Sequence, residues 1–143
     1  MPSPALVPEL DVADLARSLA FYAGLIGFKV VYERPEERFA YLKLGDAHLM
    51  LEEAAGPGRR FRTAALEFPF GRGVNFQVRV ADAAALHARI LAAGFVPYLP
   101  LEERWYGRDR TETGFRQFVV ADPDGYLLRF ASGLGRRPAA DAG

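Results

Sequence analysis

Val12-Ala13-Asp14 recurs 68 residues later as Val80-Ala81-Asp82. A stretch with apolar residues at helical spacing follows each copy, and each stretch closes on a Gly-Phe pair, first at Gly27 and then at Gly94. Three features that repeat in the same order indicate that the chain contains two copies of one structural unit.

Each copy carries signals for the start and the end of a helix. Asp14 and Asp82 are predicted N-caps, because an aspartate oxygen accepts hydrogen bonds from the unpaired N–H groups of a first turn. Gly27 and Gly94 are predicted to end the helices in the left-handed conformation. Apolar residues at spacings of three or four predict the buried faces. They are Leu15, Leu19, Tyr22 and Ile26 in the first helix, and Leu86, Ile90 and Leu91 in the second.

Alternating or short apolar stretches predict the strands. They cover residues 6–12, 28–33, 39–44 and 47–52 in the first copy, and 74–80, 115–121 and 126–131 in the second. The last two surround Asp122-Pro123-Asp124-Gly125, in which every residue favours a turn. The order strand, helix and three strands, present twice, predicts an α+β fold.

These boundaries predict one domain over residues 1–132, built from repeats at 6–53 and 73–131. Residues 54–72 contain glycines, two prolines, and Arg59, Arg60 and Arg62, and are predicted to link the repeats. Residues 133–143 are predicted to be a flexible tail.

The amino-acid composition argues against some classes of binding partner and excludes some kinds of chemistry. The 18 basic and 18 acidic residues balance, so total charge favours neither nucleic acid nor a membrane surface as partner. No cysteine is present, which excludes disulfides, thiolate metal sites and cysteine nucleophiles. No apolar run approaches the roughly 18 residues that span a bilayer, and the first residues lack signal-peptide features, so we expect a cytoplasmic protein.

The repeat motifs resemble those of the vicinal-oxygen-chelate superfamily. The likeness is carried by Val-x-Asp-Leu-x-x-Ser-x-x-Phe-Tyr at residues 12–22, by Gly-Phe after the first helix, and by Asp-Pro-Asp-Gly-Tyr at 122–126. Members include glyoxalase I, extradiol dioxygenases, fosfomycin-resistance enzymes and bleomycin-resistance proteins. The likeness covers about residues 7–131. It implies duplicated βαβββ units that form a cupped mixed sheet, in a chain that dimerises.

The resemblance also implies where a metal would be held, since the enzymes of this superfamily bind one divalent ion with side chains from four strands. Counted from the motifs, three of those positions fall on Val7, Asn75 and Arg129, and the fourth on Leu51 or Glu52. Valine offers no lone pair, an amide oxygen is a weak ligand, and a guanidinium repels a dication. We therefore expect neither a metal nor another cofactor, with Glu52 as the natural partner of an inward-pointing Arg129.

Without a metal, the resemblance points to the bleomycin-resistance branch, which is implied to consist of metal-free dimers that sequester a drug in clefts between subunits. Residues 6–10 are similar to the opening strand of that branch, and residues 103–107 to its loop with a ligand-stacking tryptophan. This loop holds extra residues, 108–113. Those drug binders tend to be acidic, as suits a cationic antibiotic, whereas this chain is neutral with a basic second half.

The sequence thus favours a protein that binds a planar or aromatic small molecule, such as an antibiotic, at the interface of a homodimer. The predicted ligand-binding residues are Trp105, Tyr106, Phe39, Glu52, Asn75, Arg129 and Arg116. One alternative is an isomerase, lyase or dioxygenase-like enzyme, for which Glu52 could act as base and Arg129 as electrostatic stabiliser. Another is a dimeric module without a ligand, whose cavity is filled by Phe39, Phe76 and Phe118.

Overall fold

The structure is a computed structural model that describes residues 4–139. The chain divides into two compact units. The first holds the chain up to Val74 together with Asp122–Tyr126, and the second holds Asn75–Ala121 and the chain from Leu127 onward.

The first unit contains a four-stranded mixed sheet. Its strands are β1 (Glu9–Val12), β2 (Lys29–Arg34), β3 (Phe39–Leu44) and β4 (Ala47–Glu53), in the order β1-β4-β3-β2. Strand β1 is parallel to β4, and the other pairs are antiparallel. The predicted start of β1 at residue 6 is wrong, because the strand begins at Glu9 and Leu6 is exposed.

Helix α1 (Leu15–Leu19) begins at the predicted N-cap, where the Asp14 side chain accepts a hydrogen bond from the Arg17 N–H. It continues as a π-helix over Ala20–Ile26 and ends at Gly27, which has a φ of 110°. Tyr22 and Ile26 are buried as predicted, whereas Leu15 is only half-buried.

The second unit contains a four-stranded mixed sheet of the same kind. Its strands are β5 (Asn75–Arg79), β6 (Leu99–Arg108), β7 (Thr111–Ala121) and β8 (Leu127–Pro138), in the order β5-β8-β7-β6. Helix α2 (Ala83–Ala92) starts at Asp82, whose side chain accepts from the Ala85 N–H, and Gly94 follows it with a φ of 89°. Leu86 and Ile90 are buried, but Leu91 is half exposed, because it lies about 100° around the helix from Ile90.

Strand β6 is not predicted from the sequence, and β7 and β8 are longer than predicted. Residues 108–113 were expected in a loop, yet β6 and β7 pair as far as Arg108 and Thr111 and leave a two-residue turn. Strand β8 follows β7 to Pro138. The predicted flexible tail is therefore wrong for residues 133–138, because pairing with β7 holds them in the sheet; residues 140–143 lie outside the described part of the chain.

Two mixed sheets with few helices confirm the predicted α+β class. In both units the face beneath the helix carries apolar side chains, such as Leu42 and Leu51 in the first and Phe118 and Phe130 in the second. Among residues 4–139, no helix is long and apolar enough to cross a membrane.

Candidate functional site

The face of the first sheet that points away from α1 carries aromatic and acidic side chains. Phe39 and Glu52 lie directly opposite each other on β3 and β4, and both are buried. Tyr32 stacks on Tyr41, with ring centroids 5.2 Å apart and 14° between the planes. The Arg34 guanidinium lies 4.8 Å from the centroid of the Phe39 ring. Phe39 is therefore a covered residue, and little of its ring is left for a ligand.

Glu52 is held by Arg60, a residue of the predicted linker. Arg60 Nη1 donates a hydrogen bond to Glu52 Oε1, and both side chains are largely buried. Arg62 Nε reaches Asp11 Oδ2 at 2.8 Å in the same unit. The expectation that Glu52 serves as the partner of Arg129 is wrong, since its partner is Arg60. The Glu52 carboxylate, which would act as the base if the protein were an enzyme, is therefore already engaged in an ion pair with Arg60.

Burial raises the pKa of Glu9, which lies next to these groups on β1, and the nearby Glu52 carboxylate raises it further. The Asp11 carboxylate also raises the pKa of Glu9, whereas the Arg60 guanidinium lowers it. The sequence contained one signal for this cluster: its first 53 residues are rich in acids, and three arginines follow within residues 54–62.

On the second sheet, Arg129 lies on the face that points away from α2. Its Nη2 donates to Gln77 Oε1 at 2.9 Å, and its Nε is buried without a hydrogen-bond partner among residues 4–139. Asn75 is exposed at the first position of β5, two residues before Gln77, and so lies on the same face as Arg129. Val7 precedes β1 and is half-buried.

Trp105 and Tyr106 were predicted in one loop, but they are successive residues of β6 and so point to opposite faces. The Trp105 indole packs on Gly114, where an added Cβ would lie 2.6 Å from Cζ3. The Arg137 guanidinium lies 3.8 Å from the centroid of the indole. Within one chain the two aromatic residues therefore cannot line the same wall.

Tyr106 lies on the face of the second sheet that points away from α2, and its aromatic side chain is exposed. Gln117, which is 4% exposed, donates from Nε2 to the Tyr106 hydroxyl oxygen at 2.8 Å and to Glu102 Oε1 at 3.1 Å. The Tyr106 ring is 6.1 Å from that of Phe115 and is itself 40% exposed. Gln117 and Phe115 are residues that sequence reasoning missed, because the β6–β7 register brings them to Tyr106.

Arg129 belongs to the same face. It pairs directly with Val119, while Gln117 pairs with Ala131, so Arg129 and Gln117 are diagonal neighbours across β7 and β8. Such neighbours have Cα atoms roughly 7–8 Å apart, within reach of long side chains. Tyr106 and Arg129 therefore lie on the same face of the second sheet, and each is a neighbour of Gln117.

Arg116 lies on the other face, where its Nη2 is 3.7 Å from Glu103 Oε1 and both side chains are exposed. Phe118 also belongs to that face, because its ring contacts Phe130 and His87 of α2. Neither residue lies on the same face as Tyr106 within the second sheet.

The residues present do not fit the metal that the superfamily's enzymes use. Glu52 is already neutralised by Arg60, and Arg129 places a cation at another of the four ligand positions. Among residues 4–139, no group of three or more His, Cys, Asp or Glu side chains is arranged to hold a metal ion. The donor chemistry of this chain therefore differs from that of the superfamily's enzymes.

Comparison with known proteins gives a consistent result. The sequence model of the Glyoxalase/Bleomycin resistance protein/Dioxygenase superfamily matches residues 8–130. A bleomycin resistance protein of Geobacillus stearothermophilus is 30% identical over 132 residues, which cover 87% of this chain and 92% of that protein. A bleomycin resistance protein of Staphylococcus aureus strain N315 shows the same identity and coverage.

Solved structures share the fold. TioX from Micromonospora sp. ML1 is similar with a TM-score of 0.71 and 24% identity, over 92% of this chain and 100% of TioX. A protein from the mobile metagenome of V. Pseudocholerae gives a TM-score of 0.68 at 18% identity, over 92% of this chain and 96% of its own. The chain belongs to the glyoxalase/bleomycin resistance protein/dioxygenase superfamily.

Proposed function

We propose that this protein binds a planar or aromatic small molecule, in the manner suggested by the name of its bleomycin-resistance relatives, and does so without a metal. The observation that carries the proposal is that the Tyr106 ring is both fixed in position and exposed. Its hydroxyl is fixed by the buried Gln117 amide, while 40% of the residue stays exposed. An aromatic ring that is held in place and still open offers a stacking surface at low entropic cost.

The neighbouring groups support a ligand with polar substituents. Arg129, on the same face, carries a positive charge, and its buried Nε has no hydrogen-bond partner among residues 4–139. Glu102 accepts from Gln117 and is half-buried beside Tyr106. A few oriented polar groups around an aromatic wall are typical of small-molecule sites.

The proposal includes a homodimer whose second copy supplies the opposite wall. Tyr106 alone can cover only one side of a planar ligand. Its strand, β6, is the last in the order β5-β8-β7-β6 and so has one edge unpaired in the sheet. A second chain at this edge would enclose the ligand, in agreement with the dimers that the family resemblance implies.

Calorimetric titration with bleomycin, and with a panel of neutral and anionic planar aromatics, tests the proposal. Tyr106→Ala should weaken binding about tenfold, as expected for the loss of one stacked ring. Tyr98→Ala is the matched control, since Tyr98 is 74% exposed and lies just before β6. Equal losses in both variants, or no binding by any compound in the panel, would contradict the proposal.

Sedimentation velocity tests the dimer separately. We expect a dimer at micromolar concentration, stabilised further by any compound that binds. A chain that stays monomeric while it binds the ligand would remove the second copy from the site and leave the rest of the proposal intact.

A further inference from the structure

The tip of the β6–β7 hairpin and the end of β8 enclose a concavity of about 680 Å³. This volume lies within the range of small-molecule sites. The lining residues are Arg108, Asp109, Arg110, Thr111, Thr113 and Arg136.

Strand pairing assembles this concavity from three segments. Arg108 pairs with Thr111 across the turn, and Thr113 pairs with Arg136 on β8. Arg110 lies in the turn, and its carbonyl oxygen accepts a hydrogen bond from the Ala139 N–H. The three arginines are therefore held near one another by backbone hydrogen bonds on both sides of β7.

The charge of the concavity is unbalanced. Three guanidinium groups line it against one carboxylate, that of Asp109. The side chains of Arg108, Arg110 and Arg136 make no hydrogen bond or ion pair with any other residue among 4–139. Glu112, the nearest acid on β7, is already paired with Arg137 at 2.9 Å.

The concavity lies on the same face of the hairpin as Tyr106. Tyr106 is the direct partner of Thr113, so the two side chains share a face of the hairpin. Arg108 follows Tyr106 by two residues on the same strand, about 7 Å further along that face. A ligand of ordinary size could stack on Tyr106 and reach the arginines.

We propose that the site takes an aromatic ligand that carries a phosphate, sulfate or carboxylate group, with the anionic group bound by Arg108, Arg110 and Arg136. This inference rests on the proposed function, and it assigns the charge of the ligand. Guanidinium groups donate paired hydrogen bonds to the oxygens of such anions, and the Thr111 and Thr113 hydroxyls are further donors. The ligand preferred here is therefore opposite in charge to a cationic antibiotic.

Calorimetric titration with 1-naphthyl phosphate, 1-naphthol and inorganic phosphate separates the contributions of ring and anion. We expect 1-naphthyl phosphate to bind at least about tenfold more tightly than 1-naphthol, and its affinity to fall as sodium chloride is raised. Arg108→Gln and Arg136→Gln should each weaken its binding about fivefold, the upper range for an exposed ion pair. Arg59→Gln, in the segment between the repeats, removes the same charge and should leave affinity unchanged.

Every outcome of this experiment is decisive once circular dichroism shows that the variants are folded. Equal affinities for 1-naphthyl phosphate and 1-naphthol, or equal losses in the Arg59→Gln and Arg108→Gln variants, overturn the anion site. Binding that depends on Tyr106 but not on the arginines leaves the proposed function standing and refutes this inference. Binding of inorganic phosphate that depends on Arg108 and Arg136, without any effect of Tyr106→Ala, keeps the anion site and refutes the proposed stacking function.

Discussion

At the scale of single residues, the turn that precedes β8 depends on one buried carboxylate. Asp122 Oδ1 accepts hydrogen bonds from the Asp124 and Tyr126 N–H groups, at 2.8 and 2.9 Å. Its Oδ2 accepts from the Tyr22 hydroxyl at 2.6 Å, in a contact that joins residues 100 positions apart. Asp122 thus organises its own turn and also anchors the helical segment of the first unit.

This carboxylate predicts a specific pH dependence of stability. Burial raises the pKa of Asp122 above its usual 3.8, although its hydrogen bonds act against that rise. The folded chain therefore holds this proton more tightly than the unfolded chain. The stabilisation is complete below pH 3.8 and is lost as pH rises through the folded pKa.

We expect the free energy of unfolding of the wild type, relative to Asp122→Asn, to decrease as pH rises from 3.8. The asparagine does not titrate, so the difference between the two chains isolates this one group. Urea unfolding followed by circular dichroism, between about pH 3 and 7, measures it. A wild type that gains stability relative to the variant over this range would show that the hydrogen bonds to Asp122 outweigh its burial.

At the scale of elements, the β6–β7 hairpin places the aromatic and basic side chains of the candidate site. Its sequence is rich in charge and does not alternate clearly between apolar and polar residues, so β6 and the first four residues of β7 are not predicted from it. Backbone hydrogen bonds to β8 hold these residues of β7 in a strand, although the local sequence does not indicate one. Once the strand is formed, alternation alone separates Trp105 from Tyr106.

Gly114→Ala tests this packing. The new Cβ would lie 2.6–2.7 Å from three atoms of the Trp105 ring, so the indole must move. We expect a loss of roughly 1–3 kcal/mol in the free energy of unfolding. Trp105 is the single tryptophan, so its fluorescence maximum should shift as well.

Gly107→Ala is the matched control on β6, because a Cβ there meets no atom within 4 Å. It should change stability by less than about 0.5 kcal/mol and leave the fluorescence maximum in place. Unchanged fluorescence in the Gly114→Ala variant would mean that the indole does not rest on this glycine.

At the scale of the whole molecule, the two repeats share a plan and differ in their charged side chains. Each has a helix capped by aspartate and ended by glycine, over a sheet that begins with a strand parallel to its neighbour. The first repeat pairs its buried Glu52 with Arg60, whereas the second places Arg129 beside Gln77. The first arrangement neutralises a buried carboxylate, and the second leaves a guanidinium without an acidic partner among residues 4–139.

This charge arrangement predicts that divalent metals do not affect the stability of the protein. Addition of EDTA, or of equimolar Mn²⁺, Ni²⁺ or Zn²⁺, should change the unfolding temperature by less than about 1 °C, because only an ion that binds the folded state stabilises it. Differential scanning fluorimetry and elemental analysis of purified protein provide the measurements. One divalent ion retained per chain would show that the positions of Val7, Asn75 and Arg129 are not the relevant ligand positions.

The sequence by itself determined the duplication, both helix caps, both terminating glycines and the Asp122–Tyr126 turn. These features depend on residues a few positions apart, whose backbone preferences act wherever the segment is placed. Only the tertiary structure decided that Arg60 pairs with Glu52, that Trp105 and Tyr106 face opposite ways, and that Arg108 and Arg136 meet at one concavity. Those contacts depend on strand length and register, and a shift of one residue would move each side chain to the other face.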